Sequence, residues 1–233
     1  MKNMIIASTS TVFGSGYLEY LLPTLKAHFK NVKTLLFIPY ARPSGILYDA
    51  YTTIAKKAFA FIDINVEGIH EFKNPKNAIE NAEAIFTGGG NTFELVNQLY
   101  KNDIFSIFKQ VLENGTPYLG TSAGSNICGI SMMNTNDMPI VYPPSFLTLG
   151  CIPFNINAHY LDPEKGSKHM GETRETRIKE FHVFNETPVL GLREGSWLQV
   201  SGDCIILKGN YSARLFQQNQ EPLELESGVE VFV

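Results

Sequence analysis

Short apolar runs alternate with stretches of helical spacing through the first half of the chain. Residues 4–7 and 34–38 are continuous apolar runs, as buried strands require, and residues 17–29 between them put their apolar side chains on one face of a helix. The rhythm continues with a helix over 47–62, a strand at 65–69, a short helical piece at 77–81 and a strand at 84–86. Helices at 92–99 and 104–112 then lead into a strand at 117–119. Strands joined by helical crossovers pair in parallel, so this order predicts an α/β three-layer sandwich with a mostly parallel central sheet flanked by helices.

After Cys128 the rhythm changes. Prolines cluster at Pro139, Pro143 and Pro144, and residues 132–153 lack helical periodicity, which predicts loops and irregular strands. Helical spacing returns at 173–181, followed by a compact strand at 189–192. The tail, 197–207 and 214–233, alternates as antiparallel edge strands do, with turns at Gly209-Asn210 and Glu226-Ser227-Gly228. No repeat, low-complexity tract or linker interrupts the chain. Its 233 residues suit one core, so residues 1–233 are expected to form a single domain.

Composition narrows the function classes. Nineteen basic against 23 acidic residues give a net charge of −4, which offers a nucleic-acid backbone nothing to bind. Cys128, Cys151 and Cys204 are too few and too scattered for a disulfide framework or a four-ligand zinc site, and they read as reduced thiols. No apolar run approaches the ~18 residues of a membrane span, and no secretory signal is legible at the start. The expectation is a cytoplasmic protein with no membrane partner and no metal.

The strongest local signal is Gly120-Thr121-Ser122-Ala123-Gly124, a G-x-S-x-G pattern between a strand and a helix. A nucleophile on such a turn needs small neighbours, because the backbone passes close to adjoining strands while the turn lifts the hydroxyl clear. The same residues would also serve as a plain glycine-rich turn with Ser122 capping the helix. A second cluster, Thr87-Gly88-Gly89-Gly90-Asn91-Thr92-Phe93, follows a strand and precedes a helix. It suits an oxyanion hole, with a simple tight turn as the alternative.

A serine hydroxyl needs a general base. Of His28, His70, His159, His169 and His182, His159 stands just beyond an apolar run, where catalytic groups collect in open α/β sheets, and His169 is held in reserve. His28 reads as lying on a surface helix. The orienting acid has three candidates: Asp137, Asp162 and Glu194. Asp137 would give the chain order of α/β-hydrolases, but only 15 residues separate it from Ser122 and the intervening helix should consume most of them. Glu194, at the end of the 189–192 strand, stands slightly ahead.

These motifs, together with Gly171-Glu172-Thr173-Arg174-Glu175, resemble the peptidase E (α-aspartyl dipeptidase) family, and the likeness in motif order and length covers nearly the whole chain. That family sits with the cyanophycinases among serine peptidases built on a class I glutamine-amidotransferase-like fold. The resemblance implies Ser122 as nucleophile, His159 as base and Glu194 as acid, with Asp137 kept as the alternative acid. In such a mechanism the oxyanion is expected on the N–H groups of Ala123 and of one of Gly89 or Gly90, with no cofactor. The implied substrate is a small peptide, an Asp-Xaa dipeptide. Its buried side-chain carboxylate would need a cation, for which Arg174 is the candidate, with Asn91 as a further substrate contact. Arg174 could equally be a solvated arginine on a charged helix. A homodimer is what the broader fold family allows. The rivals are a same-fold hydrolase acting on an aspartate-rich polymer and a non-catalytic ligand-binding module.

Overall fold

Alternate residues of the buried strands serve two cores, and this sets the layers. In the computed structural model, which describes residues 1–163, 166 and 171–232, the strands β1 (Asn3–Ala7), β2 (Thr34–Ile38), β4 (Ile85–Thr87) and β5 (Tyr118–Thr121) are buried almost throughout. Ile5, Ala7, Leu35, Phe37, Phe86 and Leu119 pack on one side, against α1 (Leu22–His28) and α2 (Tyr48–Ala60). Met4, Ile6, Leu36, Ile38, Ile85 and Tyr118 pack on the other, facing α3 (Pro75–Glu80), α4 (Thr92–Lys101) and α5 (Phe105–Glu113). Each large apolar side chain so buried contributes roughly 1.5–3 kcal/mol, so burial on both faces of the central sheet is a main source of stability.

With β3 (Asn65–Gly68), β8 (Ser196–Ser201) and β9 (Cys204–Gly209), these strands form a seven-stranded sheet in the order β3-β2-β4-β5-β1-β8-β9. The first five are parallel, and β8 and β9 add antiparallel. The predicted mostly parallel sheet between helices is therefore present. A second, four-stranded sheet was not expected from the sequence. It runs β11-β10-β7-β6, built from β6 (Asn155–Ala158), β7 (Val189–Leu192), β10 (Ala213–Phe216) and β11 (Leu223–Leu225). Here β6 and β7 are parallel, with Ala158 opposite Leu192. The tail is thus shared between two sheets, and β8 is an interior strand rather than an edge.

Other differences have local causes. The expected helix over 17–29 is a 3-10 turn, Glu19–Leu21, followed by α1, which Pro23 initiates in its first turn. His28 is not on an exposed surface: its Nε2 lies 3.2 Å from the Tyr118 carbonyl, and burial pushes its pKa down to about 4. The helix after Ser122, α6 (Ala123–Asn126), is one turn long, so the chain-length argument against Asp137 fails. Residues 127–154 are irregular, as expected, joined by the single bridge Ser131–Leu147 and by the Asn155 Oδ1 that accepts from the Ile130 and Ser131 N–H groups. No described helix is long and apolar enough to cross a membrane.

Candidate active site

Ser122 is held where β5 turns into α6. Its φ of +54° and ψ of −113° lie outside the regions a non-glycine residue ordinarily takes, a strain of about 1–3 kcal/mol that the surroundings must overcome. They do so through the backbone. The Ser122 N–H donates to the Ala7 carbonyl at 3.2 Å, the Ser125 and Asn126 N–H groups both donate to its carbonyl at 2.9 Å, and the Tyr118 hydroxyl donates to the Gly124 carbonyl at 2.7 Å. The Ser122 side chain makes no capping bond, which removes the capping alternative. Because α6 is a single turn, its contribution to an incoming anion is its free N–H groups rather than a long macrodipole.

The glycine turn after β4 is packed against this serine. A Cβ on Gly89 would stand 2.9 Å from the Ser122 Cβ, so only glycine allows the approach. Gly90 has φ +148°, and a Cβ there would meet the Ala41 carbonyl oxygen at 2.2 Å. The Gly89 carbonyl accepts from the Tyr51 hydroxyl at 3.2 Å. Among the described residues nothing accepts from the N–H groups of Gly89, Gly90 or Ala123. Gly89 is thus packed against Ser122, and the three N–H groups have no acceptor among the described residues.

The base and acid come from the second sheet. His159 follows β6 directly and, at φ +55°, turns its ring toward the serine. Its Nε2 lies 2.8 Å from Ser122 Oγ, and its Nδ1 lies 2.6 Å from Glu194 Oε1. Ser8, just past β1, locks this step: its hydroxyl accepts from the His159 N–H at 2.9 Å and donates to the Leu192 carbonyl at 2.7 Å. The sequence reading missed Ser8, whose only signal is a hydroxyl directly after a buried strand. Glu194 also stands near Tyr20, whose hydroxyl donates to the Thr9 carbonyl and is held above its ordinary pKa by burial first and by the Glu194 charge second.

The remaining candidates fall elsewhere. Asp137 accepts from the Thr92 N–H at 2.7 Å and the Thr135 hydroxyl at 3.2 Å, so it caps the start of α4 and does not reach the imidazole. Asp162 is engaged by Arg193. Asn91 caps α4 through Oδ1, accepting from the Glu94 N–H at 3.1 Å, and donates Nδ2 to the Met138 carbonyl at 2.8 Å. Both polar ends of Asn91 are engaged within the loop, so in this structure its side chain serves as a helix cap. Arg174 opens α7 (Arg174–Phe184), half-buried and with no carboxylate partner among the described residues. Burial, and then repulsion from Arg177, pull its guanidinium below its ordinary pKa against attraction from Asp137. His70 pairs with Asp49, His182 contacts the Asn185 carbonyl, and His169 lies outside the described residues.

Comparison with known proteins points the same way. The family model described as "Peptidase family S51" matches residues 4–208. A peptidase E of Streptomyces coelicolor is 47% identical over 226 residues, covering 97% of this chain and 92% of the relative. A Drosophila melanogaster protein named a probable alpha-aspartyl dipeptidase is 46% identical, covering 96% and 93%. The crystal structure of a peptidase from an acI-B1 Actinobacterium superposes with a TM-score of 0.74 over 99% of this chain and 96% of that one. At 14% identity that last likeness speaks for the fold.

Proposed function

The chain belongs to peptidase family S51, and from that membership we propose that it is a serine-type dipeptidase hydrolysing dipeptides with an N-terminal aspartate. The observation that carries the reading is the line Ser122 Oγ, His159 Nε2, His159 Nδ1, Glu194 Oε1, with separations of 2.8 and 2.6 Å. A nucleophile, a base and an orienting carboxylate at hydrogen-bonding distance, with a glycine turn packed on the nucleophile, is the arrangement acyl transfer needs. We take residues 1–233 as one catalytic domain acting in the cytoplasm, in keeping with three free thiols.

In the reaction His159 Nε2 takes the Ser122 proton as Oγ bonds to the peptide carbonyl carbon. The oxyanion accepts from the N–H groups of Ala123 and of Gly89 or Gly90. Glu194, on Nδ1, fixes the tautomer and balances the imidazolium. The proton then passes from Nε2 to the leaving amine, the C–N bond breaks, and water, deprotonated by the same nitrogen, hydrolyses the aspartyl ester. Arg174 receives the substrate's side-chain carboxylate: a partly desolvated guanidinium without a carboxylate partner among the described residues gains most from an incoming anion.

A panel of Asp-Leu, Glu-Leu, Ala-Leu and acetyl-Asp-Leu tests the proposal. Asp-Leu alone should turn over well, and Arg174→Met should cut its kcat/KM by about 10–100-fold, the worth of a charge-assisted hydrogen bond. Equal cleavage of acetyl-Asp-Leu would replace the dipeptidase with an enzyme acting on aspartate-rich polymers. A chain that cleaves none of them and ignores a fluorophosphonate would be a binding module.

A further inference from the structure

The His159–Glu194 pair cannot hold its own geometry. Its side chains are 39% and 47% exposed, and an ion pair that open to water is worth about fivefold in population at most. His159 also sits at positive φ, a conformation that persists only when neighbouring structure imposes it. Something besides mutual attraction keeps a 2.6 Å contact across the ends of β6 and β7.

That support comes from the residues next in sequence to the pair. Tyr160 and Arg193, the neighbours of His159 and Glu194, turn away from them and meet each other. The buried Tyr160 ring lies against Gly191, where a Cβ would stand 2.6 Å from it, and the Arg193 guanidinium carbon is 5.7 Å from the ring centre. Arg193 then grips the chain just beyond the histidine. Its Nε and Nη2 donate to the two oxygens of Asp162, both at 2.8 Å. Its Nη1 donates to the Ser212 carbonyl at 2.9 Å and to the Glu224 carboxylate. Arg193 is only 18% exposed and its planar fork is fully used, so it has one available pose. The same hydrogen bonds hold the Asp162 carboxyl below its usual range.

We propose that Arg193, clamped on Asp162, is the positioning residue that keeps His159 and Glu194 in register for catalysis. It ties the segment after His159 to the segment before Glu194. Ser8 fastens the same two segments through their backbones. The clamp touches neither substrate nor reacting atoms, and acts by fixing where the imidazole and carboxylate meet.

The inference rests on the serine-peptidase reading above, and its test is built to separate the two. Arg193→Met, Arg193→Lys and the milder Asp162→Asn are compared with the unchanged chain in kcat and KM for Asp-Leu. The rate constant for phosphonylation of Ser122 by a fluorophosphonate, which needs the triad but no aspartate, is measured alongside. Arg193→Met should lower kcat and the phosphonylation rate by about 10–30-fold, as a sub-ångström displacement of a catalytic group does, with KM within about threefold. Arg193→Lys should recover part of the loss. In a Glu194→Gln background Arg193→Met should cost less than about threefold, because the contact it supports is already gone. Losses that multiply in both backgrounds, or an unchanged phosphonylation rate in folded Asp162→Asn, would overturn the clamp. If the unchanged chain reacts with the fluorophosphonate but leaves Asp-Leu intact, the substrate reading fails and the phosphonylation rates alone judge the clamp. If it does neither, the triad and the clamp fall together.

Discussion

The two halves of the site are held in different ways. Ser122 and the Gly88–Gly90 turn stand at the ends of buried parallel strands and are fixed by backbone hydrogen bonds and by contacts too close for any side chain. His159 and Glu194 stand half-exposed beyond the second sheet, with the Ser8 hydroxyl bonded to the backbone of both segments and the Arg193–Asp162 ion pair beside them. The nucleophile therefore has almost no freedom, while the base and acid depend on polar contacts that single substitutions remove. The sheet decides where attack occurs, and the second sheet decides how well the attacking group is activated.

The largest expected effect lies on the rigid half. Ser122→Ala removes the acyl acceptor without disturbing the backbone that strains it, and kcat on Asp-Leu should fall by roughly 10⁴-fold or more. Near-normal turnover by this variant would sink the serine mechanism. The exposed half should be more forgiving. Glu194→Gln should cost about 10³-fold in kcat, an order of magnitude below the ~10⁴-fold of a buried triad acid, because water can partly replace a half-exposed carboxylate. Steady-state kinetics on the two variants measure the contrast, and a Glu194→Gln loss matching that of Ser122→Ala would remove it.

The same contrast governs what could be read from the sequence. The parallel strands, the glycine turn and the G-x-S-x-G turn are local patterns, since continuous apolar runs and small residues at turns report burial and close approach directly. His159 and Glu194 were legible only as strand-end residues, with the choice of acid left open, because their meeting depends on the pairing of β6 with β7 across more than 30 residues of chain. The second sheet was invisible for the same reason: alternation along 214–225 states that strands exist, not which sheet they join. Ser8 and Arg193 carry no local signature. The cap made by Asn91 was not singled out, because an asparagine after three glycines suits a substrate contact and a helix cap equally.

Next in size is a stability effect on the rigid half. His28, on α1, contacts the carbonyl of Tyr118 in the strand that carries Ser122, and burial holds its pKa at about 4 against 6.5 ordinarily. The folded state therefore keeps it neutral while the unfolded chain takes up a proton as pH falls from 6.5 to 4. Its contribution is complete above pH 6.5 and is lost across that interval, amounting to ~3 kcal/mol. His28→Gln keeps an N–H donor and removes the titration. Denaturant unfolding at pH 7.5 and pH 4 should show the unchanged chain losing ~3 kcal/mol more than the variant, and equal losses would place the ring in water.

The smallest effect separates the two roles open to Asn91, at the border of the halves. If its side chain only builds the loop, Asn91→Ala removes the bond to the Glu94 N–H and the tie to the Met138 carbonyl, at a cost of about 1 kcal/mol. For a chain of this length that lowers Tm by roughly 2–4 °C. Activity per folded molecule should stay within about threefold, since Asp137 still holds the neighbouring Thr92 N–H and the Gly89 and Gly90 donors remain where the Ala41 carbonyl and the Tyr51 hydroxyl fix them. A substrate contact would give the opposite pattern, a KM raised about tenfold or more with Tm unmoved, because the lost bond would then be to the ligand and not to the helix. Thermal unfolding and KM for Asp-Leu, measured on one preparation, decide between a loop held for the nucleophile's sake and a loop that reads the peptide.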